Sequence, residues 1–234
     1  MFNDFQYAYL LGNLVALPLW LYFFIHRKDC RKEILVASFC VGILAILWAP
    51  WFLADYWRPE YIHSSFLKNW RLGGIEDFLY GFFLGGIANV IYEEVFGKHF
   101  CKRRDRRHHW TWFLIPFFAL FFLVFGLPVY FGINSIYAAL VSFGILSAFM
   151  IYFRRDLFFD ALASGLLVGL LTLFGYLIFL ALFPGVIHKW WLLPNLSHIF
   201  ISGIPIEELL WAFGVGMVAG PFYEFFMGLK FKKF

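Results

Sequence analysis

The sequence predicts an all-α integral membrane protein with seven transmembrane helices, arranged as two parallel three-helix repeats plus a connecting helix. Three observations lead there: an apolar composition, seven apolar runs of bilayer-spanning length, and an acidic motif that returns at a fixed offset. Hydrophobic residues make up 62% of the 234-residue chain and charged ones 15%, with a mean hydropathy of +0.76. Soluble domains are roughly half apolar and a quarter charged, so the length is better counted in spans of ~20 residues than in soluble domains.

In chain order, the apolar runs lie at 5–25, 34–54, 75–95, 110–131, 134–153, 157–183 and 205–228. Each approaches the length a helix needs to cross ~30 Å of hydrocarbon. They are apolar on every side rather than alternating, which excludes the strands of a barrel. The boundary hardest to place is Gly132-Ile133-Asn134, where the connection is very short. Met1–Tyr9 lacks the basic region and cleavage site of a signal peptide, so the first run is expected to stay as a helix. Lys and Arg number four in 26–33, six in 97–109, two at Arg154-Arg155 and three after 229. The opposite connections hold only Arg58, Lys68, Arg71 and Lys189. Seven spans place the fifteen on one side, so the positive-inside rule predicts the N-terminus outside and the C-terminus cytoplasmic, in the plasma membrane of a prokaryote. The net charge of +4 therefore concerns topology and lipid headgroups, and no nucleic-acid partner is expected.

Gly74-Ile75-Glu76-Asp77 opens one apolar run and Pro205-Ile206-Glu207-Glu208 opens another, 131 residues later. Laying 74–93 over 205–224 without a gap matches eight of twenty positions, among them Glu76/Glu207, Gly85/Gly216, Tyr92/Tyr223 and Glu93/Glu224. His26-Arg27-Lys28-Asp29 and Phe153-Arg154-Arg155-Asp156 follow the first span of each half. The expected organisation is a first repeat over 1–96, a basic inner loop and connecting helix over 97–133, and a second repeat over 134–234. One connecting span keeps the halves parallel and puts both acid pairs on the outer side.

A charge at membrane depth costs ~2.5–3.5 kcal/mol or more, which marks such residues as functional. Pro205 suits a first helical turn, so Glu207 and Glu208 point about 100° apart and only one of each pair can face a shared neighbour. If the halves pack about a pseudo-twofold axis, Glu76 or Asp77 meets Glu207 or Glu208 in one cavity, with Asp55 near enough in depth to join. The helix N-terminus favours an ionised carboxylate and desolvation a protonated one, so such acids share protons and supply a general acid beside a general base. The plainer reading is that they cap helices at the headgroups.

Tyr80 and Trp211 occupy equivalent repeat positions one turn below the acids, where their faces can stabilise a cation. Trp51, Trp57, Trp70, Trp110, Trp112, Trp190 and Trp191 fit an interfacial belt. Gly81/Gly85 and Gly216/Gly220 allow close helix approach. His99, His108 and His109 lie in the basic loop and only His198 is near an acid helix. Adjacent carboxylates on one helix do not converge on a metal, and Cys30, Cys40 and Cys101 lack a metal or disulfide spacing. No cofactor is expected: no dinucleotide fingerprint, P-loop or G-x-S-x-G elbow is present, and the last span has no lysine before Lys230 for a retinal Schiff base.

With these motifs the chain resembles the lycopene cyclase domain family of bacterial, archaeal and fungal carotenoid cyclases, built from two homologous three-span units each with a P-x-E-E type motif. Pro205-Ile206-Glu207-Glu208 matches it fully, followed by Leu209-Leu210-Trp211. Asp55-Tyr56-Trp57-Arg58-Pro59 and Trp70-x-Leu72-Gly73-Gly74-Ile75-Glu76-Asp77 are similar to the first unit, with Gly74 in place of proline and Asp77 in place of the second Glu. The resemblance implies a redox-neutral, proton-initiated cyclisation of a linear polyene or isoprenoid. Glu207, Glu208, Glu76 and Asp77 become acid and base candidates, and Trp211, Tyr80, Asp55 and Pro205 substrate-binding candidates. A proton- or cation-coupled transporter, a carotenoid hydratase and an inactive scaffold share the same general plan. Oligomeric state does not follow from the sequence.

Overall fold

The computed structural model describes residues 5–62, 73–97, 100–102 and 114–231. Lys68, Trp70, Arg71 and Leu72, and His99, His108, His109, Trp110 and Trp112 with most of the basic connector, lie outside the described residues. Among the described residues, five helical segments are long and apolar enough to cross a membrane: Ala8–His26, Arg31–Asp55, Ser135–Phe153, Arg155–Leu182 and Ile206–Met227. A shorter apolar helix runs over Leu114–Tyr130. Between the second and this helix lies Ile75–Ala88, which continues after a break as Ile91–Val95.

In chain order these are α1 (Ala8–Leu14), α2 (Leu17–His26), α3 (Arg31–Asp55), α4 (Ile75–Ala88), α5 (Ile91–Val95), α6 (Leu114–Tyr130), α7 (Ser135–Phe153), α8 (Phe158–Leu182), α9 (Val186–Trp190), α10 (Ile206–Ala219) and α11 (Phe222–Met227). Two short ribbons accompany them. Strand β1 (Phe100–Lys102) pairs antiparallel with β4 (Leu229–Phe231), and β2 (Phe200–Ile201) with β3 (Ile204–Pro205). The β2–β3 turn needs positive φ at Ser202 (51°) and Gly203 (83°), the geometry of a tight two-residue hairpin.

The boundary left open at 132–134 resolves by capping at both ends. Gly132 takes φ +83° after α6, while the Ile133 N–H donates to Pro128 O and the Gly132 N–H to Val129 O. This is a Schellman stop, which glycine satisfies at no steric cost. Asn134 then opens α7, its side-chain oxygen accepting the Ile136 N–H at 3.0 Å, a standard N-cap.

The helices α4 and α10 have equal length, 14 residues, and both begin and end 131 residues apart; α5 and α11 also start at that offset. Each packs first within its own half, α4 on α3 and α10 on α8. After the break each continuation crosses over, α5 to α8 and α11 to α3. The small residues on α4 and α10 permit the first contact. A Cβ at Gly81 would lie 2.6 Å from the Val41 carbonyl oxygen, and one at Gly216 would lie 2.6 Å from that of Ser164. Across the halves, the Tyr80 and Trp211 rings stack at 5.8 Å and 24°. Nearby, Asn89 donates to the Ala219 and Gly220 carbonyls at 2.9 and 3.1 Å.

Pro205 sits one step earlier than the sequence suggests: it ends β3 and is the N-cap of α10 rather than its first turn. Its pairing with Phe200 holds it in extended backbone until the helix begins. The two basic-acidic loops fold alike. Arg27 forks onto Asp29 at 3.1 and 3.0 Å, and Arg154 onto Asp156 at 2.9 and 2.8 Å, with both guanidinium groups buried.

Overpacking the α8–α10 contact should be costly. Gly216→Val is expected to lower stability by about 1–3 kcal/mol or more, read as a lower melting midpoint in detergent. Gly144→Ala, whose Cβ meets nothing within 4 Å, should leave that midpoint unchanged or slightly raised.

Candidate functional site

At the ends of α4 and α10 that carry the acid pairs, two connecting segments lie against one another. Trp57 and Trp191 form an antiparallel bridge, the Arg58 N–H donates to Trp190 O at 2.7 Å and the Leu192 N–H to Tyr56 O at 2.8 Å. This cap, half from each side of the molecule, roofs a cavity of about 350 Å³ between α4 and α10. Its floor, most of a helix length away, is made by Ile87, Ala219 and Phe222. The walls are overwhelmingly apolar.

Of the four acids, the second of each pair lines the cavity: Asp77 and Glu208. Asp77 accepts hydrogen bonds from the Tyr9 and Tyr61 hydroxyls, both at 2.8 Å, and from the Gly74 N–H at 2.7 Å. Glu208 accepts from the Trp191 indole N–H and the Tyr176 hydroxyl, both at 2.6 Å, and from the Tyr56 hydroxyl. Burial, followed by the charge of Glu208, pushes the Tyr56 hydroxyl well above the ordinary tyrosine range. Burial, then Asp77, does the same to Tyr61. Both phenols therefore remain neutral donors across the physiological range. Such partners are needed because a buried carboxylate without donors is several kcal/mol worse than a solvated one.

The first acid of each pair does something else. Glu76 turns back to accept the Ile62 N–H at 2.9 Å, while its carbonyl accepts the Asn13 amide at 2.8 Å. Glu207 accepts the Ser197 N–H at 2.7 Å and the Tyr137 hydroxyl at 3.0 Å. Neither lines the cavity. Each pins a connecting segment of its own half, a consequence of the ~100° between neighbouring helical residues.

Asp55 does not join the cavity. It accepts the Ser135 N–H at 2.8 Å and the Ser135 hydroxyl at 2.6 Å, so its carboxylate complements the N-terminus of α7. Pro205 is buried in the β2–β3 ribbon beneath the cap and likewise does not line the cavity. Tyr80 and Trp211 do, stacked as a pair one turn below the acids. His198, exposed at φ 61°, lies outside it.

Trp190 and Trp191, expected in an interfacial belt, are 1% and 4% exposed and line the cavity, as does Trp57. Sequence reasoning missed the donors Tyr9, Tyr56, Tyr61, Tyr176 and Trp191. The signal for them was general: a buried phenol or indole needs a partner, and buried acids are the natural ones. Among the described residues no group of three or more His, Cys, Asp or Glu side chains is placed to hold a metal ion.

The mouth of the cavity is lateral. Its lining includes Phe174 and Ile178 of α8, which are 61% and 49% exposed on the outer face of the bundle. Gly175 lies between them, with nothing within 4 Å of where its Cβ would stand. The lining thus extends to the outer face of α8, and Tyr9, Gly12 and Ala16 of the α1–α2 segment belong to the same lining.

Two carboxyls at the N-termini of α4 and α10, donors on both and a stacked aromatic pair beneath thus share one largely apolar chamber. No curated protein and no solved structure matches the chain. The family model described as lycopene cyclase matches residues 6–95 and 134–226, well over half of the sequence and including both acid helices, so the chain belongs to the lycopene cyclase family.

Proposed function

We propose that the protein is a membrane carotenoid cyclase that closes an end-group of a linear polyene by redox-neutral proton transfer, as a lycopene β-cyclase does. One observation carries the reading: Asp77 and Glu208, from different halves of the chain, line the same aromatic cavity. In the reaction, a carboxylic O–H of this pair adds its proton to the terminal C=C, leaving a tertiary carbocation. A second C=C of the substrate attacks it, forming the ring C–C bond and a new cation. The partner carboxylate removes a ring proton to give the final C=C. Atoms and electrons balance within the substrate, and the proton gained by one carboxyl equals that lost by the other.

Tyr80 and Trp211 present ring faces to the intermediate, where cation–π attraction is worth ~2 kcal/mol or more when desolvated. The apolar walls keep out water, which would trap the cation as an alcohol; this favours cyclisation over hydration. The floor of Ile87, Ala219 and Phe222 separates the cavity from the acids beyond α4 and α10, none of which line it. That favours a blind chamber over an ion pathway. The matched blocks 6–95 and 134–226 and the shared offset of α4 and α10 support two three-helix repeats joined by a connecting helix. We read the helices as seven spans in the plasma membrane of a prokaryote, N-terminus outside, with both acids near the outer face.

Expression in a lycopene-producing host should yield cyclised pigment. Asp77→Asn and Glu208→Gln should each cut product by about 10²-fold or more, the usual range for losing a general acid or base, while folded protein persists. Unaltered lycopene with the intact chain would count against the activity.

Glu207→Gln is expected to behave differently. Its amide oxygen still accepts the Ser197 N–H, so cyclisation should stay within several-fold of the parent. Glu207→Ala should loosen residues 191–205, detected by limited proteolysis, with a cost of about 1–3 kcal/mol for the orphaned donors.

Gly175→Trp places a large side chain in the lateral mouth without touching the acids. Product should fall sharply while the melting midpoint holds; undiminished product would move the entrance elsewhere.

A further inference from the structure

At the far ends of α4 and α10 lies a second set of acids that the cyclisation does not use. Glu33 and Glu93 of the first half and Asp160 and Glu224 of the second are 6%, 1%, 1% and 0% exposed. Glu93 and Glu224 have no hydrogen-bond partner on either carboxyl oxygen, and Glu33 and Asp160 each leave one oxygen unpartnered. These are four acids from four elements, brought together where α5 crosses to α8 and α11 to α3. Glu93 is within electrostatic reach of Asp160 and Glu33, and Glu224 of all three others.

Nearby positive charge is too little for four acids: Arg27 is within electrostatic reach of Glu33 and Glu93, and Arg154 of Asp160, and both guanidinium groups are shared with other partners. Arg154 donates to Asp156 and to the Glu224 and Leu229 backbone carbonyls. Arg27 forks onto Asp29 and lies 3.6 Å from Glu94, which also takes His26 at 3.0 Å and the Tyr22 hydroxyl. Tyr92 faces Asp160 and Glu93, and Tyr223 faces Glu33 and Glu224. Cys30 lies beside Glu33. Four ionised carboxylates in so dry a place would repel one another and forfeit hydration at several kcal/mol apiece. Their oxygens also fail to converge as metal ligands among the described residues. Protons are the remaining counter-charge, and small-molecule water the remaining partner for orphaned oxygens.

We propose that Glu33, Glu93, Asp160 and Glu224 form a second binding site, for protons and internal water, which fastens the two halves at the end opposite the cavity. Protonated carboxyls donate to their neighbours across the α5–α11 junction and hold it closed. Loss of those protons leaves like charges facing each other and opens it. The site loads at low pH and unloads as pH rises, so it stabilises the bundle at low pH and that stability is lost on the alkaline side.

The test compares purified full-length protein in detergent with Glu93→Gln/Glu224→Gln, whose amides keep the shape and hydrogen bonding but do not titrate. Infrared difference spectra between acid and alkaline buffer should show a protonated-carboxyl stretch that shifts in D2O and is much weaker in the variant. The parent's melting midpoint should fall as pH rises, and the variant's should fall clearly less over the same range. If the double variant does not fold, Glu33→Gln and Asp160→Asn are read the same way. A carboxyl band and pH slope unchanged in the folded variants would overturn the proposal. So would a midpoint that follows sodium concentration at fixed pH, which would make the site one for a cation.

Discussion

The arrangement depends on the cost of burying carboxyl groups in an apolar bundle. At such depth a charge costs several kcal/mol unless donors are already in place, and every distinctive feature of the cap end supplies them. Asp77 and Glu208 each accept three hydrogen bonds. Their donors come from segments with nothing else in common: α1, the residues after α3, the middle of α8, and the end of α9. The acids thus help fix the position of the segments at the cap end. Remove their need for donors, and there is little reason for the 56–58 and 190–192 segments to lie against one another.

That constraint explains what could be read from the sequence. The acid helices were legible because apolar length and an offset repeat are local properties, and α4 and α10 begin and end where the 131-residue shift places them. The divergence of neighbouring acids was legible too, but not which of each pair turns inward, since that depends on what each carboxyl can reach. Ile62 and Ser197 offer backbone N–H groups to Glu76 and Glu207, whereas the phenols and indole are reached by Asp77 and Glu208. These donors sit up to 152 residues from their acceptor, and no spacing rule connects them. Trp57, Trp190 and Trp191 were misread for a related reason. Composition and depth indicate an interface, but only the fold decides whether a tryptophan faces headgroups or the underside of a cap. Asp55 points the wrong way, because α7 begins beside it and offers the Ser135 N–H and hydroxyl.

The two ends of the bundle use acids in opposite ways. At the cap end every cavity carboxyl oxygen has a donor. At the far end six carboxyl oxygens have no partner. Between the two, the cavity lining ends in Ile87, Ala219 and Phe222. Here the polar residue at the crossing, Asn89, uses its amide to tie the halves together through the Ala219 and Gly220 carbonyls.

The halves also differ where the chemistry differs, and the differences depend on each other. In the first half, Gly74 has an N–H to give, and it goes to Asp77, whose short side chain stays close to its own helix terminus. The glycines fit because there is no room for more: a Cβ at Gly73 would lie 2.6 Å from the Asp77 carboxylate, and one at Gly74 would lie 2.7 Å from that of Glu76. In the second half the matching position is Pro205, which has no N–H. Glu208 therefore has no such backbone tether, and its extra methylene carries the carboxyl out to Tyr56, Tyr176 and Trp191. Glycine with aspartate gives a carboxylate anchored by a backbone donor and two phenols; proline with glutamate gives one held only by side chains. The two carboxyls of one chamber thus meet different donors, a backbone N–H with two phenols for Asp77 and two phenols with an indole for Glu208.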